Sequence, residues 1–410
     1  MKHYDYIIVG GGIIGLCIAR ELRLRLPSAS ICLLEKEADV ARHASGRNSG
    51  VLHAGFYYTA DSLKARFTKE GNQAMTRYCE ANGLQINRCG KLVVAANEGE
   101  LQDLMELKKR ADRNGVQLEW VDAMDIQAID PNVASNRLAL YSPTTASVDP
   151  IEVCQKLKQE VLSMGVEIAC QTAYVSQTVN RIKTNRGSYS FSYFINAAGL
   201  YADQVAKDFG FGLDYTMIPF KGMYMTYTGE ATDISTNIYP VPDLQQPFLG
   251  VHFTKTVDGS IKVGPTATPA LWRENYGGWQ RLKWKELFRI VWEEARLFLS
   301  NSFQFRTFAL EEMKKYRKAY FIQLARYMVK DLDWQAFKST IQPGIRAQLL
   351  HQKTRRLEQD FIVEGDGRSI HVLNAVSPGF TCAFPFTRYV VDQVMIKQGL
   401  REKTSKVQIS

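Results

Sequence analysis

The spacing of apolar positions changes along the chain, and each change marks an element. Residues 4–9 are an aromatic and β-branched run that predicts a strand. Glycines follow at once, and over 14–26 the apolar residues recur at helical spacing. Residues 31–34 are unbroken apolar, as in a strand buried on both faces. Strand, glycine turn, helix and strand make a βαβ start. Further helices are predicted over 61–82, over 98–114 with Gly115 as the stop, and from Pro150, with Asp149 as cap, to Gly165. Short strands are predicted over 92–95 and 194–196. From Thr216 to Val263 the chain is strand-rich, with strands over 223–227, 250–255 and 260–263. Residues 279–330 predict two or three helices. Beyond Pro343 come strands near 361–363 and 371–373, a helix over 381–397 and a polar tail over 401–410.

Composition narrows the class. A chain of 410 residues, 45% hydrophobic and 23% charged, suits a globular protein of two domains. No stretch is long and apolar enough for a transmembrane helix. The start reads as strand and glycine turn, with Asp5 inside it, so no secretion leader is expected. The seven cysteines are scattered and odd in number, without a CxxC pair. No zinc site, other metal or disulfide framework is expected, and a reducing compartment such as the cytoplasm suits them. The net charge is +9, and residues 279–330, with twelve Lys/Arg and five Asp/Glu, hold +7 of it. Within that segment Trp284, Leu287, Phe288, Val291, Ala295 and Phe298 follow helical spacing, flanked by Lys283, Lys285, Arg289 and Arg296. Two readings stay open: a helix lying on an anionic membrane, or a helix packed on its own domain with a solvated basic face. Nucleic acid is not an expected partner, because no recognition fold accompanies the charge.

The glycines carry the first chemistry. Gly10, Gly12 and Gly15 form GxGxxG between a strand and a helix, with Ile14 inside the motif. Gly10 permits the tight turn, Gly12 lets main chain approach a pyrophosphate, and Gly15 lets helix and strand pack closely. Glu35, at the end of the second strand, is placed to accept from ribose hydroxyls, with Lys36 beside it. The run 41–55 is small, polar and glycine-dense, a composition suited to lying along an extended cofactor with a flat ring; it carries Arg42, Ser45, Arg47, Asn48 and Ser49.

Several segments together resemble the D-amino-acid oxidase-like flavoproteins, and within them the L-2-hydroxyglutarate dehydrogenase/oxidase family. They are RHASGRNSGVLHAGFYY (42–58), INAAGLYAD (195–203), PFKG (219–222), PFLGVHFTKTVDG (247–259), GIRAQ (344–348) and HVLNAVSPGFT (371–381). The resemblance covers nearly the whole chain. It implies an α/β fold: a Rossmann-type FAD domain with an inserted strand-rich α+β substrate domain that carries a helical insertion. The expected division is FAD domain over 1–80, 145–215 and 340–400, and substrate domain over 81–144 and 216–339. It implies noncovalent FAD and oxidation of an L-2-hydroxy acid, with electrons leaving to quinone or oxygen, at the cytoplasmic face of a membrane if the basic helix docks there.

Site residues follow from the same resemblance. Ala197 and Gly199 would let the chain pass close to the dinucleotide, with Val175 near the adenine. Pro378, Gly379, Phe380 and Thr381 precede the last helix, whose amides suit the charge that develops on a flavin. Arg346 matches the arginine that holds the substrate carboxylate, which a guanidinium can grip with two hydrogen bonds. His252 shares a strand face with Thr254 and is a candidate base for the hydroxyl proton; His53 competes for that role. Tyr57 and Tyr224 are candidates for lining the pocket. One departure matters: the family often reads GEYY where this chain has Gly222-Met223-Tyr224-Met225. Another L-2-hydroxy acid, or a dicarboxylate such as malate, stays open. So do a glycine- or sarcosine-type amine oxidase, a nicotinamide-dependent dehydrogenase and a non-enzymatic FAD module at a membrane surface.

Overall fold

Two clusters of contacts divide the chain, and the backbone passes between them more than once. A computed structural model describes residues 2–134, 137–229, 234–242, 249–333, 335–338 and 342–400. The tail over 401–410, and Pro247 and Phe248 of the PFLG motif, lie outside the described residues. The first unit holds the chain up to Gly46, then Pro150–Met217, and the chain from Ala347 on; the second holds Arg47–Asp149 and Ile218–Arg346.

The first unit is built on the βαβ start. Lys2–Val9 pairs parallel with Ile31–Leu34 on one side and Gly187–Asn196 on the other. Glu167–Ala169 and Ser369–Asn374 extend the parallel sheet outward. The hairpin Tyr174–Thr178 with Arg181–Thr184, and Ile362–Gly365, add antiparallel strands. Ile7, Ile8, Leu33, Phe194 and Ile195 are inaccessible, as strands covered on both faces require. The helix Ile13–Arg25 packs against Pro150–Ser163 and Ala383–Lys397. The strand predicted over 194–196 proves far longer, Gly187–Asn196, because its polar outer half pairs with the hairpin strand Arg181–Thr184 on one side and with the start of Lys2–Val9 on the other.

The second unit is a sheet with its helices. In spatial order its strands are Phe337–Lys338, Met225–Tyr227, Ile261–Gly264, His252–Lys255, Asn237–Pro240, Lys91–Val94, Ala139–Ser142 and Glu119–Val121. One face packs Leu92, Val94, Ile238, Phe253 and Val263 against Phe321, Ile322 and Ala325 of the helix Lys318–Arg326. On the other face Val93, Ala95 and Leu140 meet Leu104, Leu107 and Ala111 of the helix Leu101–Asn114. That helix stops at Gly115, whose φ of 61° suits glycine.

Residues 47–80, expected with the cofactor domain, fall in the second unit. Their helix Leu63–Ala81 explains why: Asn72 donates to the carbonyls of Leu52 and Thr144, and the helix packs against Leu101–Asn114. Residues 145–149 go with the second unit too, since Ala146–Val148 pairs with Val51–Leu52 and Ile86–Asn87.

The segment over 279–330 forms three helices, Trp284–Ser300, Phe305–Lys314 and Lys318–Arg326. In the first of them the buried residues are Glu286, Ile290 and Leu297. Of the expected row Trp284 is 62% and Phe288 69% exposed, with Leu287 half-buried; Trp292 at 63% and Leu299 at 73% lie open as well. Val291 and Phe298 are exposed with them. Of the flanking cations, Lys283 pairs with Glu286 and Arg296 with Glu293 on the same helix. The helix thus packs on its own unit through Ile290 and Leu297, while most of the row singled out in the sequence lies in the open.

Candidate functional site

In the first unit the glycine turn is shaped by what leaves no room for side chains. Gly10 has φ +113°, and a Cβ there would lie 2.3 Å from the Ala197 carbonyl oxygen. A Cβ on Gly15 would lie 1.9 Å from the Gly10 carbonyl oxygen. These two glycines are demanded by the fold itself. Gly12 differs: its φ is −80°, and its Cβ would meet only the Ser45 hydroxyl, at 2.9 Å. Gly12 caps the helix Ile13–Arg25 without a side chain, and Ser45 accepts from the Ile13 amide at 2.9 Å. Apart from the Ser45 hydroxyl on the Ile13 amide, the helix start is main chain with a positive dipole end, the arrangement that receives a phosphate.

The residues expected to hold the cofactor stand as follows. Ala197 donates its amide to the Val9 carbonyl at 2.9 Å, so the NAAG turn and the glycine turn leave the same ends of neighbouring parallel strands. Dinucleotides bind at such strand ends in α/β sheets. Glu35 is buried, and its carboxylate accepts from the amides of Gly11 (2.7 Å) and Glu37 (2.8 Å). It therefore braces the turn, and it keeps lone pairs for ribose hydroxyls. Lys36 pairs with Glu37 and lies over the Tyr201 ring. Ile14 is half-buried, Arg42 is exposed, and Val175 is exposed on the hairpin strand Tyr174–Thr178. Gly199 has φ +54° at the start of a helical turn. The segment from Pro378 to Thr381 leads into Ala383–Lys397; a Cβ on Gly379 would lie 2.1 Å from the Ala375 carbonyl oxygen, and Thr381 is buried. These residues fit an extended dinucleotide: a side-chain-free cradle at a helix start and an acid at the next strand end.

The second unit gathers the ionisable groups. His252 and Tyr239 sit on adjacent strands, and their rings stack at 3.7 Å. The pairing of Ile238 with Phe253 puts both of those in the apolar core, so alternation turns Tyr239, His252 and Thr254 to the other face. Lys91 opens the neighbouring strand, pairs in register with Asn237, and holds its ammonium 4.2 Å from the Tyr239 ring centre. The same ammonium lies 3.4 Å from Nδ1 of His53. The Nδ1–H of His252 donates to the Gly250 carbonyl at 2.8 Å.

Burial and neighbouring cations hold both histidines neutral. Burial pushes His252 down to about 3; the hydrogen bond to Gly250 opposes that, and Lys91 and Arg346 push it lower. His53 goes well below its ordinary value, by burial first, then through Lys91, His252 and Arg346. Burial alone brings Lys91 down to about 7. Arg346 stands on the strand Gly344–His351, half-buried. It also counters the burial that raises the Tyr224 phenol, as does the hydrogen bond between Tyr224 and Ser49. The buried hydroxyl of Tyr57 has no hydrogen-bond partner among the described residues, and the Tyr239 and Thr254 hydroxyls have at most each other. A buried polar atom without a protein partner needs water or a bound group to satisfy it.

Of the expected catalytic residues, His53, His252, Arg346, Tyr57 and Tyr224 all belong to this unit, as do Arg47, Asn48 and Ser49 of the cofactor set. Arg47 stacks on Tyr276, and Asn48 accepts from the Gly50 amide. Sequence reading missed Lys91 and Tyr239. The sequence signal for Lys91 was faint: a lysine directly ahead of the apolar run Leu-Val-Val, at the first position of the strand Lys91–Val94.

Known proteins resemble this chain over nearly its whole length. A family model described as FAD dependent oxidoreductase matches residues 5–393. The chain is 35% identical over 402 residues to a protein of Escherichia coli O17:K52:H18 named L-2-hydroxyglutarate dehydrogenase, covering 95% of this chain and 93% of that one. It is 34% identical over 416 residues to the mitochondrial protein of that name in Homo sapiens, covering 95% and 88%. Among solved structures, the FAD-bound L-alpha-glycerophosphate oxidase of Mycoplasma pneumoniae superposes with a TM-score of 0.75 at 22% identity, over 96% of this chain and 95% of that one. A family match over almost the whole length, on a fold that presents the glycine cradle and an acidic strand end, places this chain in the FAD dependent oxidoreductase family.

Proposed function

We propose that this protein oxidises L-2-hydroxyglutarate to 2-oxoglutarate with FAD. The observation that carries the reading is the joining of two cations, Lys91 and Arg346, with two neutral histidines in one unit. A hydroxy acid needs a grip for its carboxylate and an acceptor for its hydroxyl proton. Arg346 supplies the grip with its planar fork. His252 supplies the acceptor: with its Nδ1 proton committed to Gly250, the lone pair sits on Nε2. FAD, when bound, supplies the hydride acceptor for C2. The carboxylates of a dianionic substrate also offset Lys91 and Arg346, which lifts the histidines toward a useful basicity. An amine substrate, once unprotonated, needs no such acceptor, which favours the alcohol over glycine or sarcosine. The test is an anaerobic screen with purified holoenzyme. L-2-hydroxyglutarate should bleach the flavin absorbance; malate should act weakly, and glycine and sarcosine should not act. Bleaching by an amine and not by any hydroxy acid overturns the reading.

The outward apolar row of Trp284–Ser300 favours a place of work at an anionic membrane surface, with quinone as the electron acceptor. No helix among the described residues is long and apolar enough to cross a membrane. A helix with Trp and Phe on its open face and lysine and arginine beside them suits the lipid interface. Each cation near such a surface contributes about 1 kcal/mol, screened by salt, while the buried rings add a part that salt does not remove. Binding to phosphatidylserine-containing vesicles should fall with salt without vanishing, and phosphatidylcholine alone should bind less. Replacing Trp284, Phe288 and Trp292 by Ser should release the protein, with FAD content and single-turnover flavin reduction unchanged. Wild-type protein that ignores anionic vesicles at low salt removes this reading.

A further inference from the structure

We propose that Lys91 is a positioning residue that decides which nitrogen of His53 carries the ring proton, and so makes His53 the donor and His252 the acceptor of the pair. The assignment follows from donor and acceptor chemistry. An ammonium has protons to give and no lone pair, so the 3.4 Å contact from Lys91 Nζ requires the lone pair of His53 on Nδ1. The proton of a neutral His53 then resides on Nε2. A carbonyl only accepts, so the 2.8 Å contact with Gly250 requires the opposite tautomer in His252, with Nδ1 protonated and Nε2 bare. Two rings alike in sequence terms are thereby made complementary. One gives a hydrogen bond to the substrate oxygens, and the other takes the hydroxyl proton.

The surroundings of Lys91 fit a residue kept for this purpose. Its side chain is inaccessible, and its ammonium is ringed by Phe56 at 5.6 Å, Tyr57 at 5.2 Å and Tyr239 at 4.2 Å. Among the described residues no carboxylate pairs with it. The ionisable groups near it are His53, Tyr57, Cys89, Tyr239 and His252, with Tyr141 on the adjoining strand Ala139–Ser142 and Arg346 acting on both histidines. A lone buried cation costs stability, and such a cost concentrates at working sites. Burial brings its proton loss to about 7, so the hold on His53 lapses just above neutrality, where a neutral amine no longer dictates the tautomer.

The inference rests on the proposed reaction only for the role of the His252 acceptor; the tautomers themselves are read without substrate. The experiment uses FAD-loaded holoenzyme labelled with nitrogen-15 in histidine. Two-bond nitrogen–proton spectra distinguish Nδ1–H from Nε2–H rings, and His53→Gln and His252→Gln assign the signals. At pH 6 His53 should show the Nε2–H pattern and His252 the Nδ1–H pattern. Raising the pH through about 7 should blur the His53 pattern alone. Lys91→Met should do the same at pH 6. Lys91→Arg, whose guanidinium has donors and no lone pair, should keep the Nε2–H pattern. In turnover of L-2-hydroxyglutarate, the limb of the kcat/KM profile near neutrality should vanish in both variants. If Lys91→Met does not fold, the wild-type titration still decides. A His53 ring protonated on Nδ1 at pH 6, or one indifferent to pH across neutrality, overturns the proposal. Failure of the reaction with normal spectra sinks only the functional reading.

Discussion

Between Gly10 and Gly15 the working surface is main chain, whereas around Lys91 it is side chain. In the first region the chemistry lies in amides and a helix dipole, and side chains have to be absent for it to appear. In the second the backbone only supplies register: adjacent strands bring Lys91, Tyr239 and His252 together, and their charges adjust one another. The two should therefore respond differently to mutation. Damage to the turn should be all or none. Damage to the cluster should be graded and should change with pH.

The sharpest contrast lies within the turn. Gly12→Val should abolish FAD binding while the protein stays folded, since only the movable Ser45 hydroxyl stands in the way. Gly15→Ala should instead prevent folding, because its Cβ meets a backbone oxygen. Flavin absorbance with circular dichroism reads both, and a fully flavinated Gly12→Val misplaces the cofactor site. In the cluster, His252→Ala should slow flavin reduction by roughly 100-fold, the scale of general-base catalysis, with less loss at high pH. Stopped-flow traces showing that pattern for His53→Ala and not for His252→Ala would move the acceptor role to His53. Arg346→Lys should be milder: one charged hydrogen bond lost is about 1.5 kcal/mol, or roughly tenfold in substrate affinity. An unchanged KM takes Arg346 out of the site.

The smallest effect concerns stability. His252 and His371 both sit near 3 when folded, through burial, and near 6.5 when unfolded. Below about pH 6.5 the unfolded chain takes up protons that the folded protein refuses, so stability falls with acidity down to about pH 3. His252→Phe should flatten that fall in thermal melts, and an equal slope in the variant would show that His252 is not held neutral.

Two helices of the second unit show what sequence could and could not disclose. Leu101–Asn114 and Trp284–Ser300 both carry an apolar row at helical spacing. The first buries Leu104, Leu107 and Ala111 against the sheet, and the second leaves its row in the open. Periodicity establishes that a helix has an apolar side; which side the rest of the chain covers is a tertiary matter. The βαβ start was legible because its signals are local: the run over 31–34 is the strand Ile31–Leu34, residue for residue. The hairpin Tyr174–Thr178 with Arg181–Thr184 was not, since its first strand is half-exposed without alternation and its second alternates over only four residues. At the site, motifs named His53, His252 and Arg346. Lys91 escaped because it stands at a strand start, where a lysine is ordinarily a solvated end. Its pairing with Asn237 and Ser142 on both sides and its full burial show it to be interior.

The open row of Trp284–Ser300 also bears on how the protein behaves in a tube. Without lipid, rings this exposed have only each other or another molecule to cover them. Scattering should therefore grow with concentration in plain buffer and subside with a little mild detergent, and the particle size seen in preparations would be a property of the medium rather than a subunit count.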